Sequence, residues 1–148
     1  VRRFDDWWGM QLLGQMSLQL ANDRLFPLEQ VPVGGRFSVR GYRENTLIRD
    51  NAFLASIESR FPVMSYVTGE PLLQFAQFVD LGRAWNAKGL TPDPQTLASA
   101  GLGLRWHILP HDRARFELYW GLPLNHVLHP PGNLQDHGIH LQLVVQVL

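Results

Sequence analysis

Apolar and polar side chains alternate with a period of two along most of this chain. Between residues 8 and 20 the even-numbered positions are apolar or glycine, and only Leu13 interrupts the polar set at the odd-numbered positions. Five later segments repeat the period, so the pattern predicts six β-strands over residues 8–20, 53–61, 72–81, 98–107, 114–122 and 138–148. No intervening segment has the 3.6-residue period of an amphipathic helix. The pattern therefore predicts an all-β, antiparallel fold.

The predicted connections differ in length. Those over residues 62–71 and 109–113 are short, whereas those over 86–96 and 123–137 are longer and rich in turn-forming residues. The connection over residues 21–50 spans about thirty residues, and loops of that size are usually functional or disordered. We therefore expect a role for this segment beyond joining two strands.

Alternation alone leaves two architectures open. In a soluble β-sandwich the apolar face packs inward, whereas in an outer-membrane β-barrel it contacts lipid and the polar face lines the lumen. The longest predicted strands match a tilted transmembrane strand of about 10 residues, and the polar face carries Gln, Ser, Gly and Tyr rather than Lys. These features favour the barrel. We then expect Met16, Leu18, Phe75, Leu104, Leu118 and Leu143 to face lipid, and Gln15, Ser17, Glu58, Gln74 and Arg105 to face the lumen.

The amino-acid composition excludes several classes of function. The 148 residues include no cysteine, which excludes disulfides, thiolate metal sites and a cysteine nucleophile. Thirteen basic and thirteen acidic residues give zero net charge, which argues against a nucleic-acid partner. Lys88 is the only lysine, so the cation in use is arginine, which suits forked hydrogen bonding. The chain starts at Val1 without an initiator Met, and we expect it to begin inside a longer polypeptide.

Two short motifs carry the chemistry. Inside the long connection a Gly-Gly pair is followed by the tetrapeptide Val39, Arg40, Gly41 and Tyr42. The third predicted strand contains F-x-D-x-G, formed by Phe78, Asp80 and Gly82. The planar fork of an arginine suits a carboxylate, glycine permits a tight turn and a close approach, and tyrosine both stacks and hydrogen-bonds. By the period-two count Asp80 lies on the more polar face of its strand.

Together these motifs resemble the signature of the outer-membrane assembly and secretion superfamily. The segments around residues 25–35, 40–50 and 57–62 look most like two-partner secretion transporters (TpsB), the haemolysin and haemagglutinin exporters. The resemblance implies that residues 1–148 form the C-terminal portion of one sixteen-stranded outer-membrane barrel and supply its last six strands. It also implies that the loop over residues 21–50 folds back into the lumen, where Arg40 contacts the wall near Asp80.

The implied function is a pore in the bacterial outer membrane that translocates an unfolded partner exoprotein to the cell surface. Its partners would be that exoprotein, outer-membrane lipid, and the upstream periplasmic (POTRA) domains and remaining barrel strands of the same polypeptide. A β-barrel assembly insertase of the same superfamily is the alternative. A soluble β-sandwich or lipocalin-like binding module is a third reading.

Other candidate chemistry is weaker. Glu58, Arg60 and Arg105 are predicted to form a polar network in the lumen, although Glu58 and Arg60 also fit ordinary cross-strand pairing. The six histidines show no metal-ligand spacing, and the chain has no G-x-S-x-G, H-E-x-x-H or phosphate-loop motif. We therefore predict no enzyme activity, no cofactor and no metal site.

Overall fold

A computed structural model describes residues 2–5, 9–109, 113–125, 127, 132 and 134–146. Its strands are β1 (Arg2–Asp5), β2 (Gln11–Gln19), β3 (Val31–Val33), β4 (Leu47–Arg49), β5 (Asn51–Ser65), β6 (Pro71–Trp85), β7 (Thr96–Leu109), β8 (Ala114–Pro123) and β9 (Ile139–Val145). A 3-10 helix over Leu134–His137 precedes β9. No helix in these ranges is long and apolar enough to cross a membrane.

The strands form one large sheet and one small hairpin. The large sheet has the order β1-β2-β5-β6-β7-β8-β9, and each strand is antiparallel to its neighbours. The hairpin pairs β3 with β4 inside the long connection. The predicted all-β, antiparallel class is therefore confirmed. The sheet is open, with β1 and β9 at its edges.

Some strands are longer than the predicted ranges and others are shorter. The three central strands are longer than predicted, with 15 residues each in β5 and β6 and 14 in β7. The first predicted strand begins later, at Gln11, because Gly9 adopts a turn with φ 73°. Similarly, Gly138 has φ 70°, so β9 begins at Ile139 rather than at residue 138. The predicted ends at residues 8 and 147–148 lie outside the described residues.

Three strands were not predicted. β1 has four residues, and β3 and β4 have three each. Segments this short show no alternation that distinguishes them from a loop. Within the described residues the large sheet has seven strands, one more than the six predicted, because β1 joins its edge.

Strand register separates the side chains onto two faces. One row across the sheet runs through Gln15, Ser56, Asp80 and Ser99, and the next through Met16, Ala55, Leu81 and Ala98. We call the first face the inner face, because the long connection packs against it, and the other the outer face. The six residues expected to face lipid share the outer face, and the five expected to face the lumen share the inner face.

The larger apolar core lies between the long connection and the inner face. The connection contributes Val33, Val39, Tyr42 and Leu47, and the sheet contributes Ala52, Ala84 and Leu97. All seven side chains are buried. The connection is thus part of the folded structure, and burying its apolar side chains stabilises its position on the sheet.

Candidate functional site

The β3–β4 hairpin carries a compact turn, residues 34–46, which we call the tip. Val33 pairs with Leu47 at the end of the hairpin. The turn then closes on itself, because the Gly34 N–H donates to Ser38 Oγ at 2.8 Å and the Gly35 N–H donates to the Val39 carbonyl at 3.1 Å. The hairpin thereby holds Val39–Tyr42 against the inner face.

Arg40 forms a forked contact with Asp80 on β6. Its Nε donates to Oδ2 at 2.8 Å and its Nη2 donates to Oδ1 at 2.9 Å. The Arg40 backbone N–H also donates to Oδ2, at 3.0 Å. Arg40 is 5% exposed and Asp80 1% exposed. The two motifs recognised in the sequence therefore meet directly, in the bidentate geometry that arginine and carboxylate favour.

Further groups complete the surroundings of the Arg40 guanidinium. Its Nη1 donates to Glu58 and its Nη2 donates to Ser56 Oγ at 3.2 Å. Its Cζ lies 3.7 Å from the ring centroid of Phe78 and 4.9 Å from that of Tyr119. Aromatic rings thus lie close to the guanidinium, and carboxylates accept hydrogen bonds from its N–H groups. The first contacts are cation–π interactions and the second are ion pairs.

Burial and nearby negative charges have opposite effects on the pKa of Arg40. Burial by itself would lower the pKa of the guanidinium, but the hydrogen bonds and negative charges of Asp80 and Glu58 raise it above its ordinary value. Arg40 therefore stays charged at every physiological pH. A buried pair of this kind adds little net stability, yet removing one partner costs about 3–5 kcal/mol because the other charge is left buried.

Glycines allow the backbone of the tip to touch the sheet. Gly41 has φ 95°, and a Cβ there would lie 2.9 Å from the Gly121 carbonyl carbon and oxygen. A Cβ on Gly121 would lie 2.6 Å from the Gly41 nitrogen. Both contacts are shorter than real Cβ atoms make, so both positions require glycine for the observed approach.

Gly82, the last residue of F-x-D-x-G, has a similar role toward side chains. A Cβ at this position would lie 2.6 Å from Val33 Cγ1 and 2.7 Å from Val39 Cγ2. The glycine leaves the space that these two apolar side chains of the loop occupy. Asp80 thus binds the long connection through an ion pair, and Gly82 leaves the space into which its apolar side chains pack.

Tyr42 fixes the other side of the tip. Its hydroxyl lies 2.8 Å from the Ala98 carbonyl oxygen and 3.0 Å from the Asn125 carbonyl oxygen, and it accepts a hydrogen bond from the Asn125 N–H at 3.1 Å. The ring is 4% exposed and belongs to the apolar core. Tyr42 therefore combines packing with hydrogen bonding to two strand ends.

The predicted lumen network is assembled around Glu58. Arg60 Nε donates to Glu58 Oε1 at 2.5 Å, and the Tyr119 hydroxyl donates to the same oxygen at 3.1 Å. Arg105 joins indirectly, because its Nη1 donates to the Tyr119 oxygen at 3.3 Å. The structure thus brings Glu58, Arg60 and Arg105 together, with Tyr119 as the link.

A second ion cluster surrounds Glu117 on β8. Arg36 of the tip forms an ion pair with this carboxylate, Arg105 Nη1 lies 3.0 Å from its Oε1, and Arg115 Nε lies 2.6 Å from the same oxygen. Glu117 is 2% exposed. Burial lowers the pKa of the Arg36 guanidinium. Arg36 gives the tip a second charged contact with the inner face.

Arg43 fixes the tip to the segment before β9. Its Nη2 donates to Asp136 Oδ2 at 2.5 Å, and its Nε donates to Oδ1 of the same carboxylate. The hydrogen bond to Asp136 raises the pKa of Arg43. This pair is partly exposed, so salt will screen it more than the Arg40 contacts.

Asp50 organises the base of the long connection. Its carboxylate accepts hydrogen bonds from the Ala87 N–H at 2.9 Å, from Gln30 Nε2 at 2.9 Å and from the Leu25 N–H at 3.0 Å. These donors, the Ala87 N–H foremost, lower the pKa of Asp50. One side chain thus joins two connections at the same end of the sheet.

A cavity of about 660 Å³ lies between the tip and the inner face. Its charged lining consists of Arg36, Arg40, Glu58, Arg60, Arg105, Arg115 and Glu117. Within the part of the chain that the structure describes, no group of three or more His, Asp or Glu side chains is arranged to hold a metal ion. Ion pairs and hydrogen bonds join these charged groups to one another.

Several residues of the site were missed in the sequence. Tyr119 and Gly121 lie on the polar face of a predicted strand, where an aromatic ring and a glycine were a usable signal of an inward contact. The roles of Ser56, Asp50 and Asp136 had no local signal, because their partners Arg40, Leu25 and Arg43 lie 16 to 93 positions away in the chain.

A sequence model of haemolysin secretion/activation proteins, described as ShlB/FhaC/HecB, matches residues 2–106. The matched range includes the tip and the strand that carries Asp80, and it ends inside β7. A search of curated proteins found no match to this chain.

Proposed function

Because this chain belongs to the haemolysin secretion/activation family, whose members are two-partner secretion transporters, we propose that it forms part of an outer-membrane pore that passes an unfolded exoprotein to the cell surface. We further propose that the docked tip controls this passage. The observation that carries the proposal is the forked, buried contact of Arg40 with Asp80 on the inner face of the sheet.

The outer face supports a membrane location. Its side chains include Met16 at 75% exposure, Leu18 at 61% and Leu143 at 62%. An apolar surface spread over a whole sheet is unfavourable in water but suits the hydrocarbon of a bilayer. This feature argues against a soluble β-sandwich, in which a second sheet would cover the apolar face.

The lengths of the connections support an orientation. The long connections between β2 and β5, β6 and β7, and β8 and β9 leave one end of the sheet, and the short turn over residues 66–70 joins β5 to β6 at the other. Outer-membrane barrels have long extracellular loops and short periplasmic turns. The tip would then enter the lumen from the cell surface.

Closure of the pore requires more strands than this sheet contains. A seven-stranded sheet with free edges does not enclose a channel, and unpaired edges invite association with further strands. The proposal therefore includes a barrel of sixteen strands, of which this sheet supplies seven, together with periplasmic POTRA domains on the same polypeptide. The additional strands would pair with β1 and β9.

In the proposed mechanism the tip has a docked and an undocked arrangement. Docked, it occupies the lumen and aligns Arg36 and Arg40 with carboxylates of the inner face. Cargo and tip compete for the same space, so binding of the exoprotein shifts the population of the two arrangements. No nucleotide is needed, because binding energy drives the exchange.

The test uses the full-length transporter with Arg40→Ala. Truncation leaves Asp80 and Glu58 buried without their main cation, which costs about 3–5 kcal/mol of docking free energy. We expect secreted exoprotein in the medium to fall at least tenfold while the amount of transporter in the outer membrane is unchanged. The matched control is Arg24→Ala, an exposed arginine of the same connection, which should secrete normally.

Two results would count against this proposal. Full secretion by Arg40→Ala would show that the docked tip does not control transport. A general loss of unrelated outer-membrane proteins, with exoprotein export unaffected, would favour the assembly insertase instead.

A further inference from the structure

His140 touches the tip at its most crowded point. It lies on the inner face of β9, paired with Tyr119 of β8, and is 5% exposed. The Gly41 N–H donates a hydrogen bond to His140 Nε2 at 3.1 Å. An amide N–H is always a donor, so this nitrogen must be the unprotonated acceptor and the ring must be neutral.

The charged groups around His140 come from two elements. The tip contributes Arg36, Arg40 and Glu44, and β6 contributes Asp80. Asp80 is already engaged by Arg40, and Glu44 Oε1 accepts a hydrogen bond from the Arg36 N–H at 2.8 Å. A positive charge on His140 would therefore meet two arginines whose nearby carboxylates are already in use.

We propose that neutral His140 is a positioning residue for the tip and that its protonation releases the tip from the inner face. Protonation of His140 Nε2 removes the acceptor of the hydrogen bond from Gly41. Two N–H donors, one on the ring and one on the Gly41 backbone, then face each other and repel. Protonation also adds a third cation beside Arg36 and Arg40. Docking is therefore strongest at mildly alkaline pH and weakens as pH falls below about 6.5, the value at which histidine titrates in free peptides.

The consequence for export rests on the proposed function, but docking itself can be measured directly. Spin labels are placed at Phe37→Cys in the tip and at Val67→Cys in the turn at the opposite end of the sheet, in a full-length transporter without other cysteines. Both parent side chains are exposed, so labelling disturbs little packing. The distance distribution between the labels is recorded in membranes at pH 8 and at pH 5.

We expect one docked distance at pH 8 and, at pH 5, at least a tenfold rise in the undocked fraction. His140→Gln offers an amide oxygen that accepts but does not titrate, and His140→Phe offers no acceptor. Both variants should lose the pH response, with the undocked fraction of His140→Phe high at both pH values. His137→Gln, at an exposed histidine of the neighbouring 3-10 helix, should keep the wild-type response.

Unchanged wild-type distances between pH 8 and pH 5 would overturn the inference, as would a pH response that survives in His140→Phe. Loss of the response in His137→Gln would also overturn it, because the titrating group would then lie elsewhere. The label distances measure docking of the tip, whereas the Arg40→Ala assay measures secretion. A negative result for the His140 inference is therefore distinguishable from a negative result for the proposed function.

Discussion

Replacing Gly121 by alanine tests whether the tip must touch the backbone of the sheet. A Cβ on Gly121 would lie 2.6 Å from the Gly41 nitrogen, 2.7 Å from the Gly41 Cα and 2.8 Å from the Arg40 carbonyl carbon. All three are backbone atoms, which cannot rotate away as a side chain does. The tip must therefore move off the strand, and this displacement weakens the adjacent hydrogen bond from Gly41 to His140.

The strand itself should accept the alanine. Gly121 is not among the residues with positive φ, so its backbone is one that any residue adopts. Its N–H donates to the Gly138 carbonyl at 2.8 Å, and alanine keeps that donor. Forcing one methyl group into a packed contact costs about 1–3 kcal/mol. That cost corresponds to about a 5- to 150-fold rise in the undocked-to-docked ratio.

Trypsin cleavage measures this ratio at pH 8 in isolated outer membranes. Arg40 is buried when the tip is docked, so cleavage after Arg40 should be faster in Gly121→Ala, and secretion should fall in parallel. Gly14→Ala is the matched control, because a Cβ on Gly14, also in a strand, meets nothing within 4 Å. Wild-type cleavage and secretion by Gly121→Ala, or equal damage by Gly14→Ala, would refute the reasoning.

Four further predictions rest on the contacts and faces described above. Asp80→Ala should reduce secretion as Arg40→Ala does, with the double mutant little worse than either single variant; strictly additive losses, measured in the same secretion assay, would contradict direct coupling. Arg40→Lys should restore only part of the secretion, because an ammonium cannot form the forked contact. In intact membranes a lipid-soluble thiol reagent should modify Leu18→Cys faster than Ser17→Cys, and the reverse order would contradict the assigned faces. The lowered pKa of Asp50 means that its contribution to stability is present above its ordinary value of 3.8 and is lost as pH falls below it; Asp50→Asn should unfold at lower temperature at pH 7 and show a smaller drop between pH 7 and pH 3.

The faces of the sheet were predictable because the alternation is long and nearly unbroken. In β2, Met16 and Leu18 fall on one face and Gln15 and Ser17 on the other, and a one-residue slip would exchange them all. Leu13 is the exception, and register places it on the inner face opposite Glu58. The two motifs were predictable as well, because each is contiguous in the sequence.

The contacts that surround these motifs could not be derived from the sequence. Arg36 pairs with Glu117 across 81 positions of the chain, and neither residue is distinguished locally from a solvent-exposed charge. The paired register of four successive strands, from β5 to β8, must be known before Glu58 and Tyr119 can be placed together. Long-range pairing of this kind depends on the whole sheet and not on any one segment.

The balance of forces at the tip suits a contact that must both hold and release. The free energy lost by removing the charges of Arg40 and Asp80 from water nearly equals the free energy gained from their attraction. The pair therefore fixes the position of the tip but adds little net stability. Favourable free energy comes instead from Val33, Val39 and Tyr42, whose burial contributes roughly 1.5–3 kcal/mol for each large apolar side chain. Ordering the long connection costs conformational entropy, which opposes this gain. The tip is thus held in a specific position by contacts that an exoprotein competing for the same inner face could displace.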